Sequence, residues 1–258
     1  MLRARIRRRR KSRKYGKDLA LVQPVVAACV SRRVAPRSHG VAAVYACIAI
    51  GIALHVALFA PTVSVAAEPP VKIVALGDSL MAGYQLVGRD AFPAQLERAL
   101  NAKGVVVEIA NAGVSGDTSS GGLGRLDWSV PEGTQAVILG LGGNDMLRGI
   151  DPTVTRSALE DIIRKLKARN IEVLLLGMRA PPNLGAEFAR KFDAIYPELA
   201  SEYRLTFYPF FLDGVAADPK FNQRDGIHPT AEGIAALVAR ILPKAEELVA
   251  RVRAKRGS

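Results

Sequence analysis

Cysteine is nearly absent from this 258-residue chain, and the two it has, Cys29 and Cys47, both lie in the first 67 residues. From residue 68 onward the sequence therefore offers no disulfide, no thiol nucleophile and no thiolate metal ligand. Histidine is as scarce: His39 and His55 share the leading segment, which leaves His228 as the only imidazole in the remainder. One histidine without cysteine leaves carboxylates alone to complete a metal site, so the sequence implies neither a metal nor another cofactor. No Gly-x-Gly-x-x-Gly and no Gly-Lys-Ser/Thr loop is present to cradle a nucleotide phosphate. A content of 49% hydrophobic and 23% charged residues excludes a collagen-like, disulfide-stapled or wholly disordered chain.

The charge is unevenly placed. Residues 1–67 hold 13 Lys and Arg against one acid, Asp18, whereas residues 68–258 hold 23 basic and 23 acidic side chains. The net charge of +12 thus belongs to the leader, and the body is neutral. The leader opens with Arg7-Arg8-Arg9-Arg10-Lys11, turns apolar over 41–60 and ends Ser64-Val65-Ala66-Ala67 before Glu68. A basic region, an apolar run and small residues in that order describe a secretory signal. The alternative is an uncleaved anchor, with 41–60 in contact with the membrane and the body outside the cytoplasm. Arg32-Arg33 suggests twin-arginine export, although the residues after the pair match that signal poorly. Arginine runs also bind nucleic acid, but no aromatic-interleaved or helix-turn-helix pattern follows, so no nucleic-acid partner is expected. The expected organisation is a basic leader over 1–67 and one catalytic domain over 68–258, exported to the periplasm or secreted.

Within the body, short apolar runs alternate with amphipathic stretches. Strands are predicted at 71–76, 105–109, 136–141, 172–176 and 205–208, and most are continuous rather than in–out patterned, as in a parallel sheet covered on both faces. Helices are predicted at 93–102, 155–169, 186–202 and 230–252, the last with a bend at Pro243. This alternation predicts an α/β fold, a three-layer α/β/α sandwich around a five-stranded parallel sheet. Function in such folds sits in loops at the carboxyl ends of the strands.

Four such loops carry chemistry. Gly77-Asp78-Ser79-Leu80 places a hydroxyl in a strand-to-helix turn, where unpaired N–H groups favour negative charge. The same residues also serve as plain turn and cap chemistry. Asn111-Ala112-Gly113-Val114-Ser115-Gly116-Asp117-Thr118 supplies glycines that aim N–H groups, and Gly142-Gly143-Asn144-Asp145 supplies a side-chain amide. In Asp225-Gly226-Ile227-His228-Pro229, the lone imidazole has a carboxylate three residues upstream, able to fix its tautomer and leave the other nitrogen as a base. A lone histidine is otherwise more often structural.

Those four blocks, in that order, resemble the SGNH (GDSL) hydrolase superfamily, with its flavodoxin-like sheet. The likeness spans about residues 71–240 and is greatest to the bacterial periplasmic branch of acyl-CoA thioesterase I, lysophospholipase and arylesterase. Ala82-Gly83-Tyr84, Leu147-Arg148-Gly149 and Ala194-Ile195-Tyr196-Pro197 extend it. The resemblance implies Ser79 as nucleophile, His228 as general base and Asp225 as its partner. It implies the Ser79 and Gly116 backbone N–H groups and the Asn144 amide as oxyanion donors, waiting in place. Asp78, Asn111 and Asp145 are read as residues that hold these loops. The segment Arg179-Ala180-Pro181-Pro182-Asn183-Leu184-Gly185 carries Leu184 where relatives often carry tyrosine, a departure that bears on acyl-chain preference. The implied activity is hydrolysis of small acyl esters or lipids: lysophospholipids, aryl or short-chain esters, and thioesters. The alternatives are a carbohydrate O-deacetylase of the same fold and a non-catalytic lipid- or glycan-binding module.

Overall fold

The computed structural model describes residues 68–256. The leader expected over 1–67, with its apolar run at 41–60, lies outside the described residues. Among the described residues no helix is long and apolar enough to cross a membrane.

Five parallel strands form one sheet: β1 (Val71–Gly77), β2 (Val107–Gly113), β3 (Ala136–Gly140), β4 (Glu172–Leu176) and β5 (Thr206–Tyr208). Their order is β2-β1-β3-β4-β5, the flavodoxin-like arrangement, so the strand order reverses at β1 and a crevice opens between the carboxyl ends of β1 and β3. The inner strands β3 and β4 are buried along their whole length, which is why their sequences read as unbroken Val, Ile and Leu runs.

Eight α-helices follow in chain order among the described residues: α1 (Ser79–Ala82), α2 (Phe92–Ala102), α3 (Ser119–Gly124), α4 (Leu126–Ser129), α5 (Gly143–Leu147), α6 (Pro152–Ala168), α7 (Ala186–Glu202) and α8 (Ala231–Arg256). The pairing of α2 with α8 makes one outer layer, and α3, α6 and α7 pack together as the other. In α6 the Asp151 carboxylate caps the helix by accepting from Thr153 N, Pro152 stands at the first position, and Lys165 and Lys167 face the negative end. Its buried Thr155, Ala158, Leu159, Ile162, Ile163 and Leu166 recur at helical spacing. Each large apolar side chain among them contributes roughly 1.5–3 kcal/mol by leaving water.

Two expectations need correction. The second strand runs over Val107–Gly113 rather than 105–109. Val105 N is held by Leu100 O in the turn after α2, while Asn111, Ala112 and Gly113 pair with Ala75, Leu76 and Gly77 of β1. Pairing with a central strand overrides the poor strand propensity of those residues, so Asn111 lies in the strand and not in the loop. The last helix runs over Ala231–Arg256, with Pro243 inside it, and so extends four residues beyond the expected end at 252. Its buried stripe from Ile234 to Val252 packs along α2, β4 and β5 and holds both halves to the sheet.

Candidate active site

Three glycines stand abreast at the carboxyl end of the sheet, Gly113 beside Gly77 and Gly77 beside Gly140. A Cβ on Gly113 would lie 2.2 Å from Ala82 N, and one on Gly77 would lie 2.6 Å from Gly140 O. This bare patch lets the single turn of α1 lie directly on the strand ends. The buried Asp78 caps that turn, its Oδ1 accepting from Leu80 N at 3.0 Å, and Ser79 becomes the first helical residue.

The Ser79 hydroxyl meets His228 Nε2 at 2.8 Å, and His228 Nδ1 meets Asp225 Oδ2 at 2.7 Å. Asp225 Oδ1 also accepts from the backbone N–H of Ile227 (2.9 Å) and of His228 (3.0 Å). These N–H groups, with the ring N–H, pull the Asp225 carboxyl down to about 2. A carboxylate held ionised can only accept, so the imidazole proton sits on Nδ1 and Nε2 faces the serine as an acceptor. His228 leads through Pro229 into α8, whose first turn is secured by Gly233 N donating to Thr230 Oγ1.

Asn144 lies at the start of α5, beyond a tight turn at Gly142 with φ +106°. The Tyr196 hydroxyl donates to Leu141 O at 3.0 Å and occupies the space a side chain at 142 would need, 2.1 Å from its Cβ. That contact explains why Tyr196 belongs to the motif set. The Asn144 amide is already engaged, donating to Asp117 O at 2.9 Å and, at a longer 3.3 Å, to Asp78 Oδ2. Both amide hydrogens therefore have acceptors within the protein, and the bond to Asp78 is the longer of the two. The Ser79 and Gly116 N–H groups have no partner among the described residues. Gly116 adopts φ +86°, and its carbonyl accepts from Arg148 Nη2 at 2.6 Å.

The remaining expected residues brace the loops. Asp145 is fully buried and accepts from Ser119 N and Oγ (2.8 and 2.5 Å) and from Thr155 Oγ1 (3.2 Å), which ties α5 to α3 and α6. Asn111 Oδ1 accepts from Gly113 N at 2.9 Å and its amide reaches Ala82 O at 3.4 Å. Burial, the largest influence, pushes the Asp78 carboxyl up to about 6; Leu80 N–H and His228 oppose this, and Asp145 and Asp117 add to it.

Three contacts at the site have no clear signal in the sequence. Gln223 Nε2 donates to Tyr84 O (2.8 Å) and to Pro229 O (3.0 Å), stitching the histidine loop to the serine loop. The Tyr84 ring lies 4.4 Å from the imidazole, inclined by 35°. Arg125, buried between α3 and α4, donates to the ends of both β1 and β2. Beside Ser79 and His228 opens a cavity of about 400 Å³, walled mainly by Met146, Met178, Ala180, Phe210, Leu212 and Ile227.

A hydroxyl, an imidazole and a carboxylate in line at the switch point of this sheet define the class: an α/β/α serine hydrolase. The chain belongs to the GDSL-like lipase/acylhydrolase family, whose model matches residues 75–236, and it is a carboxylic ester hydrolase of that family. It is 41% identical over 161 residues to thioesterase 1/protease 1/lysophospholipase L1 of Escherichia coli (strain K12), spanning 62% of this chain and 76% of that protein. To the arylesterase of Vibrio mimicus it is 38% identical over 185 residues, 70% of this chain and 92% of that one. Among solved structures, the SGNH-hydrolase family esterase AlinE4 matches with a TM-score of 0.60 at 45% identity, over 70% of this chain and 98% of that chain.

Proposed function

We propose that Ser79 is the acyl-accepting nucleophile of an exported esterase acting on small acyl esters or single-chain lipids. The observation that carries it is the continuous line from Ser79 Oγ through the His228 ring to Asp225, with contacts of 2.8 and 2.7 Å. Ser79 Oγ attacks the ester carbonyl while Nε2 takes its proton, and Asp225 steadies the imidazolium. The oxyanion draws on the Ser79 and Gly116 N–H groups and on the Asn144 amide, which turns to it from Asp78. His228 then protonates the leaving alkoxide, and water repeats the sequence on the acyl-serine.

The apolar walls of the cavity favour an acyl chain, as do the relatives named arylesterase and lysophospholipase. Trp128, the ring that would stack a sugar, lies outside that cavity and is 73% exposed, which speaks against the deacetylase alternative. The basic, then apolar, then small-residue order of 1–67 supports a leader ahead of a catalytic domain over 68–258, and hence work outside the cytoplasm.

The test is hydrolysis of p-nitrophenyl esters from acetyl to palmitoyl by the wild type and Ser79→Ala, without added metal. A pre-steady-state burst is expected, with kcat in Ser79→Ala lower by at least about 10³-fold. Equal activity in the variant would end the nucleophile assignment, and an optimum at acetyl would revive the deacetylase reading.

A further inference from the structure

Arg125 is 6% exposed, and a cation is seldom buried unless its donors are taken. Here Nη2 donates to Gly77 O (2.8 Å), Nη1 to Ala112 O (2.9 Å) and Ser129 Oγ (3.0 Å), and Nε to Asp117 Oδ2 (2.5 Å). The Asp117 carbonyl in turn accepts the Asn144 amide at 2.9 Å. One planar group thus reaches the end of β1, the end of β2 and, through Asp117, the loop after β3.

Each proposed oxyanion donor lies close to one of these anchors. Ser79 is two residues beyond Gly77, Gly116 directly precedes Asp117, and Asn144 hangs on the Asp117 carbonyl. The three donors come from three separate loops, and no hydrogen bond within any one loop sets the spacing between them. A guanidinium has its N–H groups in fixed directions, so simultaneous bonds to Gly77, Ala112 and Asp117 determine where those groups stand relative to one another. A lysine ammonium at the same place offers charge without that fork.

We propose that Arg125 is a positioning residue for ester hydrolysis, its guanidinium fixing the mutual spacing of the three oxyanion donors. The inference rests on the oxyanion reading given above. Arg125 touches no reacting atom; it acts through main-chain carbonyls and Asp117. Misplacing an oxyanion donor by a fraction of an ångström weakens the bond most in the transition state, so the loss falls on kcat rather than KM.

The experiment uses the full chain and four variants: Arg125→Lys, Asp117→Asn, Asn144→Ala and the double variant Arg125→Lys/Asn144→Ala. kcat and KM are measured on p-nitrophenyl butyrate, with thermal unfolding and the phosphonate-titratable serine fraction recorded for each. Arg125→Lys is expected to lower kcat per titrated serine about 10- to 100-fold with KM changed by less than about twofold. Asn144→Ala is expected to lose about 10²–10³-fold. In the double variant the loss is smaller than the product of the two, because one of the donors that Arg125 aligns is already gone. Should Arg125→Lys not fold, Asp117→Asn carries the test, with an expected kcat loss of about tenfold at unchanged KM. A lower melting temperature with kcat intact in Arg125→Lys, or losses that multiply in the double variant, would overturn the proposal and leave Arg125 a brace of the fold. An undiminished kcat in Asn144→Ala would instead overturn the oxyanion reading itself, so the two failures separate.

Discussion

Replacing Asp78 by asparagine should move stability and activity in opposite directions. Asp78 is 3% exposed, and its carboxyl is raised from 3.8 to about 6, chiefly by burial. A carboxyl whose pKa is higher in the folded than in the unfolded chain holds its proton more tightly when folded. The stabilisation is complete below the unfolded value and is lost as the pH rises through about 6. The gap between 3.8 and about 6 corresponds to about 3 kcal/mol. Above about pH 7 the native protein therefore carries an ionised carboxylate that weakens it by that order.

Asparagine is neutral at every pH and can still accept from Leu80 N. Its NH₂ group then faces the Asn144 amide where Asp78 Oδ2 had accepted, a lost bond of about 1 kcal/mol. Asp78→Asn is thus expected to be about 1 kcal/mol less stable than wild type near pH 3, about equal to it near pH 4.5 and about 2 kcal/mol more stable near pH 8. At about 2–4 °C per kcal/mol for a domain of this size, the difference in Tm swings by about 6–12 °C between about pH 3 and pH 8, centred near pH 5. Thermal unfolding followed by circular dichroism across that range reads it directly. kcat should fall, because the anion that offsets charge on His228 is gone, but by less than the about 10²–10³-fold lost with an oxyanion donor. A Tm difference that is flat with pH would refute the reasoning, since the buried carboxylate would then not be ionising at the expense of the fold.

Other perturbations test neighbouring parts of the site. The Asp225 carboxyl is depressed to about 2, so the stability it confers is present above its ordinary value and lost only as the pH falls through about 2. Asp225→Asn should accordingly lower kcat by up to about 10⁴-fold while the acid limb of kcat/KM persists, and its disappearance in the variant would contradict this. The Tyr84 ring packs against the imidazole and helps hold its orientation, so Tyr84→Leu should cut kcat about 2- to 5-fold and Tyr84→Phe should not; equal behaviour would sink the idea. Gly142→Ala combines φ +106° with a Cβ 2.1 Å from the Tyr196 hydroxyl and should lose about 3–5 kcal/mol in urea denaturation. Gly104→Ala, with φ +76° but open space around it, should lose about 1–2 kcal/mol, and matching losses would dismiss the close approach at Gly142.

The strands and long helices were legible because each repeats a period that burial enforces. Ala136–Gly140 and Glu172–Leu176 are inner strands with both faces covered, so nothing in them needs to be polar. At β2 the signal fades for a physical reason. As an edge strand it alternates buried Val107 and Ile109 with exposed Glu108 and Ala110, then ends on Asn111, Ala112 and Gly113, whose pairing with β1 no local preference announces. The one-turn helices α1, α3, α4 and α5 escaped the periodicity because four to six residues hold too little of a 3.6-residue period. Ser79, Asp225 and His228 could be read from the sequence because chemistry restricts those positions to few residue types, and the loops that carry them fall where a doubly wound sheet places function.

Asn144, Arg125 and Gln223 show where that reading stops. All three act on main-chain carbonyls: Asn144 on Asp117, Arg125 on Gly77 and Ala112, Gln223 on Tyr84 and Pro229. A carbonyl is present at every residue, so the acceptor leaves no mark in the sequence, and the donor resembles any polar side chain in a loop. The partners are also far apart in the chain: Arg125 lies 48 residues from Gly77, and Gln223 lies 139 from Tyr84. Only closure of the sheet brings them together. The same closure commits both Asn144 N–H groups before any substrate arrives, one of them on Asp78 at 3.3 Å. In the proposed mechanism the weaker of those bonds is the one a developing oxyanion displaces. Sequence can nominate a donor, but the fold decides what that donor must release to act as one.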